Sequence, residues 1–257
     1  MILPAAAGVA AGITAWGAIA PTSQLFGPTL CHTSKRSTIG LTFDDGPNTA
    51  VTPQLLALLD RYGVRATFFV VGRFAARCPE LIREISSRGH TIGNHTETHP
   101  NLAFRSPARI AEELLRCRDN IAGAAGLNAA NPPMWMRPPF GFRGPQLWTA
   151  VRRAGLRGVV LWSFTGYDWK PQPAAKLIAR LGRIARTAAT GERNEGRSGE
   201  IVLLHDGDFR QFGADRSHTL AALEHWLPRW RDLGFDFVTV DQAAGPPAVQ
   251  GGQVREW

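Results

Sequence analysis

The sequence contains two adjacent aspartates, Asp44 and Asp45, in the stretch TFDDGP (Thr42–Pro47). Adjacent carboxylates repel each other, and burying them is costly unless a cation or a hydrogen-bond donor compensates. An ordinary Asp-Gly turn is one explanation for such a stretch. The other is that a metal ion or an arginine lies beside the pair and that the two carboxylates have different roles.

Two histidines, His95 and His99, stand four residues apart in HTETH. If that segment is helical, the spacing places both imidazoles on one face, where they could bind one divalent metal ion. The motif is not the HExxH of zinc proteases, because Glu97 comes two residues after His95 instead of one. One aspartate of the adjacent pair would complete a set of two histidines and one carboxylate. Such a set leaves coordination positions open for water and substrate, which predicts a catalytic metal site.

Three further side chains fit acid–base chemistry beside this metal. The second aspartate of the pair would act as a base and accept a proton from the attacking water. Arg137, in RPPFG, would hold that aspartate through a bidentate ion pair. His205, in LLHD, would act as general acid for the leaving group, oriented by a carboxylate on its other ring nitrogen. Each has an ordinary structural explanation when taken singly, but together and in this order they indicate an active site.

The elements that must position these residues are short apolar strands alternating with amphipathic helices. We predict seven strands: Thr38–Phe43, Ala66–Val71, His90–Asn94, Met134–Arg137, Gly158–Ser163, Ile201–His205 and Phe235–Val240. We predict six helices: Thr52–Gly63, Pro79–Gly89, Pro107–Gly126, Pro145–Gly155, Pro173–Ala188 and His218–Gly234. This alternation predicts an α/β fold with a parallel sheet, either a barrel or an open sheet. Because the candidate residues follow strands, they would converge at the carboxyl edge of that sheet.

Length, composition and charge limit the function classes. At 257 residues, with 44% hydrophobic and 19% charged residues, the chain is long enough for one barrel-sized α/β domain. The formal net charge is +8, but the arginines are spread along the chain without a basic block, which argues against nucleic-acid binding. The charge fits an anionic cell envelope. The three cysteines, Cys31, Cys78 and Cys117, form no CxxC, and we expect them to be buried apolar residues.

The beginning of the chain is set apart by an uncharged stretch of 19 residues, Ile2–Ala20. Its length is that of a membrane span, but it lacks the basic n-region of a secretory signal and is rich in Ala and Gly. Residues 1–36 are therefore interpreted as an anchor, a signal or a packed extension. Residues 37–242 form the predicted catalytic domain, and residues 243–257 form a C-terminal tail.

Five motifs in order, TFDDGP, HTETH, RPPFG, YDW and LLHD, resemble those of the polysaccharide deacetylases, carbohydrate esterase family four. These enzymes remove N-acetyl groups from chitin-like and peptidoglycan sugars. The resemblance covers roughly Ser37–Val240 and implies a distorted (β/α) barrel of about seven parallel strands. It also implies one Zn²⁺ ion, for which another divalent ion such as Co²⁺ can substitute.

The resemblance implies a role for each residue around the metal. Asp44 would be the catalytic base, and Asp45, His95 and His99 would bind the metal. A metal-bound water would be the nucleophile. Arg137 would tether the base.

The resemblance also implies the leaving-group side and the substrate contacts. His205 would be the acid, oriented by Asp168 of YDW. Phe140 stands where the family often has tyrosine, and its backbone N–H would bind the oxyanion. Trp169 and Leu203 would form the apolar walls around the acetyl methyl group, with plain core packing as the alternative for Leu203.

The implied function is removal of N-acetyl groups from N-acetylglucosamine-containing glycans, either peptidoglycan or chitin-like. One alternative is a deacylase for another acyl group, on O-acetyl xylan or on a formamido sugar carried by a lipid. The other is a catalytically silent glycan-binding module. The implied location is the cell envelope or the outside of the cell, with membrane association through the N-terminal segment as a further expectation.

Overall fold

A computed structural model of the protein describes residues 12–126, 135–189, 199–245, 249–250 and 253–254. The strands, in chain order, are β1 (Thr29–Leu30), β2 (His32–Thr33), β3 (Thr38–Asp44), β4 (Thr67–Val70), β5 (Thr91–Asn94), β6 (Trp135–Met136), β7 (Gly158–Val160), β8 (Phe164–Thr165), β9 (Gly199–His205), β10 (Asp236–Phe237), β11 (Val249–Gln250) and β12 (Gln253–Val254). The helices are α1 (residues 12–19), α2 (Thr52–Arg61), α3 (Gly72–Arg77), α4 (Pro79–Ser87), α5 (Pro107–Ala125), α6 (Leu147–Arg153), α7 (Ala174–Ala189), α8 (Ser217–Asp232) and α9 (Val240–Ala244), with a 3₁₀ turn at Pro139–Gly141.

The main sheet has the strand order β1-β7-β6-β5-β4-β3-β9-β2, with β10 also paired to β3 and β8 also paired to β9. Its pairs are parallel except for β2 with β9. The chain leaves β7, beside β6, and forms β8, beside β9, after only three intervening residues. This step brings the two sides of the sheet together in a nearly closed barrel surrounded by helices. The predicted distorted (β/α) barrel is thereby confirmed.

Strands β3 and β4 are buried on both faces, which explains why they read as nearly continuous apolar runs. All seven residues of β3 and all four of β4 are buried. The largest apolar core lies between these strands, β9 and the helices α2, α7 and α8. Burial of these side chains is the main favourable contribution to folding, and it fixes where the strand ends lie.

All seven predicted strands and all six predicted helices are present, with ends shifted by a few residues. The Pro and Gly signals explain the agreement: α5, for example, begins after Ser106, whose hydroxyl accepts the Arg109 N–H at 3.4 Å, and ends at Gly126 with φ 65°. Short elements were not predicted, because two-residue strands such as β1, β2 and β8 carry no readable periodicity.

Two strands are shorter than predicted for identifiable reasons. The strand predicted at Gly158–Ser163 ends at Val160, where the chain changes neighbours, and the Ser163 N–H donates to the Ile201 carbonyl at 3.1 Å. The strand predicted at Phe235–Val240 is reduced to β10, because Thr239 and Gln242 form a capping box that begins α9.

The described part of the N-terminal segment is tied to the barrel through Arg143, whose side chain is buried. The Arg143 backbone N–H donates to the Ala18 carbonyl at 3.2 Å, and its Nη2 donates to the carbonyls of Ala20 at 2.7 Å and Ser23 at 2.8 Å. Strands β1 and β2 then join the barrel sheet. Among the described residues, none of the helices has the length and apolar character needed to cross a membrane.

Candidate active site

The predicted site residues come together because they follow neighbouring strands. Asp44 ends β3 and lies in register with His205, which ends β9. His95 follows β5, and Arg137 follows the adjacent β6. Eight of the ten predicted residues line one pocket of about 390 Å³ at this edge: Asp44, Asp45, His95, His99, Phe140, Trp169, Leu203 and His205.

Asp45, His95 and His99 form the one cluster among the described residues with the donor set for a metal ion, and their ligand atoms lie within 4.8 Å of one another. Asp45 Oδ1 is 3.5 Å from His95 Nε2 and 3.2 Å from His99 Nε2. The same oxygen is buried and has no hydrogen-bond partner among the described residues. A buried acceptor without a donor calls for a cation, so the three side chains fit a divalent metal.

The protonation of the three side chains agrees with metal binding. Burial lowers the pKa of His95 to about 3 and that of His99 to about 2, so both imidazoles are neutral at pH 7. Neutral imidazole is the form that binds metals. Burial raises the pKa of Asp45 to about 6, and a cation would favour its ionised form.

The HTETH segment brings the histidines together as a turning loop and not as a helix. Thr96 and His99 have left-handed backbone angles, with φ 67° and 59°. The Thr96 N–H donates to Asn94 Oδ1 at 2.9 Å, and the His99 N–H donates to Thr96 Oγ1 at 3.0 Å. Left-handed angles are uncommon outside glycine, and such strain concentrates at functional sites. The imidazole centroids are 4.9 Å apart as a result.

Asp44 is held by Arg137, which is fully buried behind the pocket. Arg137 Nη1 donates to Asp44 Oδ1 at 2.8 Å and to Thr42 Oγ1 at 2.7 Å, and Nη2 donates to the Leu161 carbonyl at 2.9 Å. The pair therefore uses one guanidinium nitrogen and is not the expected bidentate one. Burial raises the pKa of Asp44, while Arg137 is the strongest of the groups that lower it. Asp44 Oδ2 lies 3.7 Å from the Nε2 of His95, at the edge of the candidate metal site.

His205 is paired with Asp168, a fully buried carboxylate. Asp168 Oδ1 is 2.8 Å from His205 Nδ1, while its Oδ2 accepts the His205 N–H and the Thr219 hydroxyl, each at 2.8 Å. Burial lowers the pKa of His205, but Asp168, together with the nearby Asp45 and Asp44, raises it to about 9. The raised pKa favours the charged imidazole, which can donate a proton through its other nitrogen, Nε2.

Comparison with known proteins identifies the family of this chain. A family model described as polysaccharide deacetylase matches residues 32–159. The chain is 34% identical over 206 residues to the peptidoglycan-N-acetylglucosamine deacetylase of Bacillus cereus. The aligned region covers 79% of this chain and 86% of that protein. The chain belongs to the polysaccharide deacetylase family.

Two other comparisons extend this result. A chitooligosaccharide deacetylase of Bradyrhizobium sp. is 35% identical over 208 residues, covering 79% of this chain and 88% of that protein. The crystal structure of a peptidoglycan N-acetylglucosamine deacetylase superimposes with a TM-score of 0.70 at 28% identity, covering 84% of this chain and 91% of that one. The family resemblance drawn from the five motifs is confirmed, and so is the barrel fold.

The apolar residues implied by the family lie around the pocket of this family member. Trp169 is 37% exposed, and its ring lies edge-on to His205 at 5.7 Å between centroids. Leu203 is 3% exposed and still contributes to the pocket wall. Phe140 is 44% exposed and has φ 61°, another left-handed backbone.

Several pocket residues were not predicted from the sequence. Phe142, Trp162, Phe209 and Arg210 also line the pocket. None of them belongs to one of the five motifs, and their spacing indicates no chemistry. Phe209 in particular stacks on the imidazole of His99, with 3.9 Å between ring centroids. Loop residues of this kind reach the site through tertiary packing, which sequence patterns do not report.

Proposed function

We propose that this protein is a metal-dependent hydrolase that removes N-acetyl groups from N-acetylglucosamine-containing glycans, peptidoglycan or chitin-like. The observation that carries the proposal is the juxtaposition of two ion-paired groups, a carboxylate and an imidazole, with one candidate metal site. Asp44 is held by Arg137, His205 is held by Asp168, and both border the pocket that contains the three candidate ligands. Such a site has a base, an acid and a place for a Lewis acid within one cavity.

Asp45, His95 and His99 would hold the metal, and Zn²⁺ suits a set of two imidazoles and one carboxylate, with Co²⁺ as a substitute. When bound, the cation would polarise the amide carbonyl and lower the pKa of a water molecule in the pocket. The chain must supply the proton transfers.

Asp44 would take the proton of the attacking water. Arg137 keeps its carboxylate oriented, and the charge of that guanidinium favours the ionised form that a base needs. His205 would give its proton to the nitrogen of the leaving amine. Its raised pKa keeps this proton in place up to mildly alkaline pH, and Asp168 holds the ring by Nδ1, so that Nε2 remains for the substrate.

The remaining pocket residues would bind the acetamido group. The backbone N–H of Phe140 would donate to the oxyanion of the tetrahedral intermediate, and the left-handed backbone there is the kind of strained geometry that functional sites retain. Trp169 and Leu203 would contact the acetyl methyl group through apolar surface, which disfavours larger acyl groups.

The names of the relatives support the substrate class. One curated relative is named a peptidoglycan-N-acetylglucosamine deacetylase and another a chitooligosaccharide deacetylase. Both names specify a deacetylase, and N-acetylglucosamine is the sugar that the first one names. We therefore place N-acetyl hydrolysis ahead of O-acetyl or formyl hydrolysis.

A substrate panel tests this choice. Acyl release would be measured from peptidoglycan, N-acetylated chitooligosaccharides, O-acetyl xylan and a formamido sugar, using the zinc-loaded protein at equal concentrations. We expect acetate from one or both N-acetylglucosamine glycans at rates far above the other two. Faster release from xylan or from the formamido sugar would reassign the acyl group, and no release from any of the four would favour a silent glycan-binding module.

We also propose that the protein works at the cell envelope, held near a membrane by its N-terminal segment. In α1, Ile13, Trp16 and Ile19 are each more than half exposed, an arrangement that suits an apolar environment. The net charge of +8 suits an anionic wall. Fractionation of cells producing the full chain would test this: recovery with membranes or outside the cell is expected, and recovery with the cytosol would contradict it.

A further inference from the structure

The two candidate histidine ligands are oriented by different means. His95 Nδ1 is hydrogen-bonded to the carbonyl of Arg137 at 2.8 Å, which fixes its ring and aims Nε2 at Asp45. Metal-binding histidines are usually held in this way through their second nitrogen. His99 Nδ1 is buried but has no hydrogen-bond partner among the described residues. Some other contact must therefore orient the His99 ring.

That contact is aromatic and comes from Phe209, in the loop after β9. The Phe209 ring is stacked on the His99 imidazole, with centroids 3.9 Å apart and planes inclined by 18°. Phe140 lies edge-on to the same imidazole at 4.7 Å and to Phe209 at 5.4 Å. Stacking over one face restricts rotation of an imidazole about its bond to the chain, as a hydrogen bond at Nδ1 otherwise would.

Phe209 is also tied to a second candidate ligand. Burial raises the pKa of the Asp45 carboxyl, and the backbone N–H of Phe209 is among the nearby groups that lower it. The Phe209 backbone therefore lies near Asp45, while its ring stacks on His99. The ring of His95, by contrast, is oriented by its hydrogen bond to the Arg137 carbonyl.

The loop that carries Phe209 is held in place from two directions. The guanidinium of Arg73, in α3, donates to the Phe209 carbonyl. Arg216 donates from Nε to the Gly207 carbonyl at 2.9 Å and from Nη2 to Asp208 Oδ2 at 3.3 Å. These contacts hold the backbone of the loop on both sides of the Phe209 ring.

We propose that Phe209 is a positioning residue of the metal centre: its ring holds His99 in the orientation that directs Nε2 to the cation. The inference rests on the proposed metal site. It differs from a role in glycan contact, which the position of Phe209 in the pocket wall would also allow. The two roles separate experimentally, because only the first changes metal affinity in the absence of substrate.

The test compares Zn²⁺ affinity of Phe209→Ala, Phe209→Tyr and the wild type by competition with a chromogenic chelator, without glycan. Loss of an outer-sphere partner typically weakens metal binding about 10- to 100-fold, and we expect that loss for Phe209→Ala. Phe209→Tyr keeps the stacking ring and should bind within a few-fold of the wild type. The visible spectrum of the Co²⁺-loaded protein should change for Phe209→Ala and stay the same for Phe209→Tyr.

Phe212→Ala is the matched control. Phe212 lies in the same loop but packs on Phe74, at 5.3 Å, and under Arg77, at 4.1 Å, away from the ligands. Removing its ring should leave Zn²⁺ affinity near the wild-type value. Circular dichroism melts of the metal-free variants would show that each is folded, and Phe209→Leu, which keeps apolar volume without a ring, would replace Phe209→Ala if that variant is not.

Three results would overturn the inference. Wild-type affinity in Phe209→Ala together with a raised KM would assign the ring to glycan contact. Equal losses in Phe209→Ala and Phe212→Ala would mean that the loop as a whole, and not the ring on His99, matters. Absence of Zn²⁺ binding by the wild type would instead refute the proposed metal centre, and with it this inference.

Discussion

The pairing of Asp168 with His205 predicts a change in pH dependence that a single substitution can reveal. In Asp168→Asn the carboxylate is replaced by a neutral amide of nearly the same shape. Burial lowers the pKa of His205, and Asp168 is the main group that outweighs it and raises the pKa from the ordinary 6.5 to about 9. Without that charge, we expect the pKa of His205 to fall to 6.5 or below.

The magnitude follows from the two pKa values. A change from about 9 to 6.5 corresponds to roughly 3 kcal/mol less preference for the protonated imidazole. At pH 8, about nine-tenths of the imidazole is protonated with the higher pKa and about 3% with the lower one. If His205 is the acid and its pKa falls to 6.5, kcat/KM should therefore fall roughly 30-fold at pH 8 through protonation alone and by less than about 2-fold at pH 6. A pKa below 6.5 would enlarge both losses, and the loss at pH 8 would remain the larger one. If the substitution also disturbs the orientation of the His205 ring, the losses in kcat/KM at pH 8 and at pH 6 would increase by the same factor.

The assay is acetate release from an N-acetylated chitooligosaccharide or peptidoglycan between pH 5.5 and about 9.5. In a plot of kcat/KM against pH, the alkaline limb should move to lower pH in Asp168→Asn. Thr219→Val is the matched control, because it removes one hydrogen bond to Asp168 Oδ2 but keeps the carboxylate, so its limb should stay close to that of the wild type. Equal losses for Asp168→Asn at pH 6 and pH 8 would refute a proton-donating role for His205.

Three other predictions concern the base, the metal ligands and a histidine outside the site. Asp44→Asn should lose about 10²- to 10⁴-fold in kcat and still bind Zn²⁺ in a chelator competition, because it removes the base and not a ligand. His99→Ala should lose both activity and stoichiometric zinc, measured by metal analysis after gel filtration. For His90, burial lowers the pKa to about 4, and its Nδ1 accepts the Ala66 N–H at 3.1 Å. The neutral form is therefore favoured by folding, so urea unfolding should show stability falling as the pH drops from 6.5 to 4, and His90→Gln should flatten that decline.

Much of the candidate site could be predicted because its residues follow strands. The polar residues after β3, β5, β6 and β9 interrupt apolar runs, and parallel strands bring their carboxyl ends to one edge. Asp44 and His205 lie in register for this reason, although 160 residues separate them in the sequence. The alternation of strands and helices was readable for the same reason, since each element is long enough to show its period.

The local geometry of the ligands could not be predicted from spacing. Two histidines four residues apart suggest one face of a helix, but HTETH is a loop with left-handed Thr96 and His99. Such angles are set by hydrogen bonds to Asn94 and Thr96 and by packing around the loop, and the residue types alone do not disclose them. The single-nitrogen contact of Arg137 with Asp44 has a similar origin, because Arg137 also binds neighbouring backbone carbonyls.

Contacts between distant loops could not be predicted from the sequence either. Phe209 has no sequence signal, yet it stacks on His99 because the loop after β9 is fixed by Arg73 and Arg216. Arg143 reads as one more loop arginine, yet it is buried under the N-terminal segment. Both depend on tertiary packing between segments more than a hundred residues apart or on loops without periodicity.

One experiment tests directly whether a metal held by three side chains works with Asp44 to release acetate. Acetate release from peptidoglycan and from N-acetylated chitooligosaccharides would be compared for metal-stripped protein, zinc-restored protein and zinc-restored Asp44→Asn. We predict release that requires zinc and that Asp44→Asn lowers at least about 10²-fold, on at least one of the two glycans. Release that persists in the stripped protein would refute the role of the metal, and release that Asp44→Asn leaves unchanged would refute Asp44 as the base.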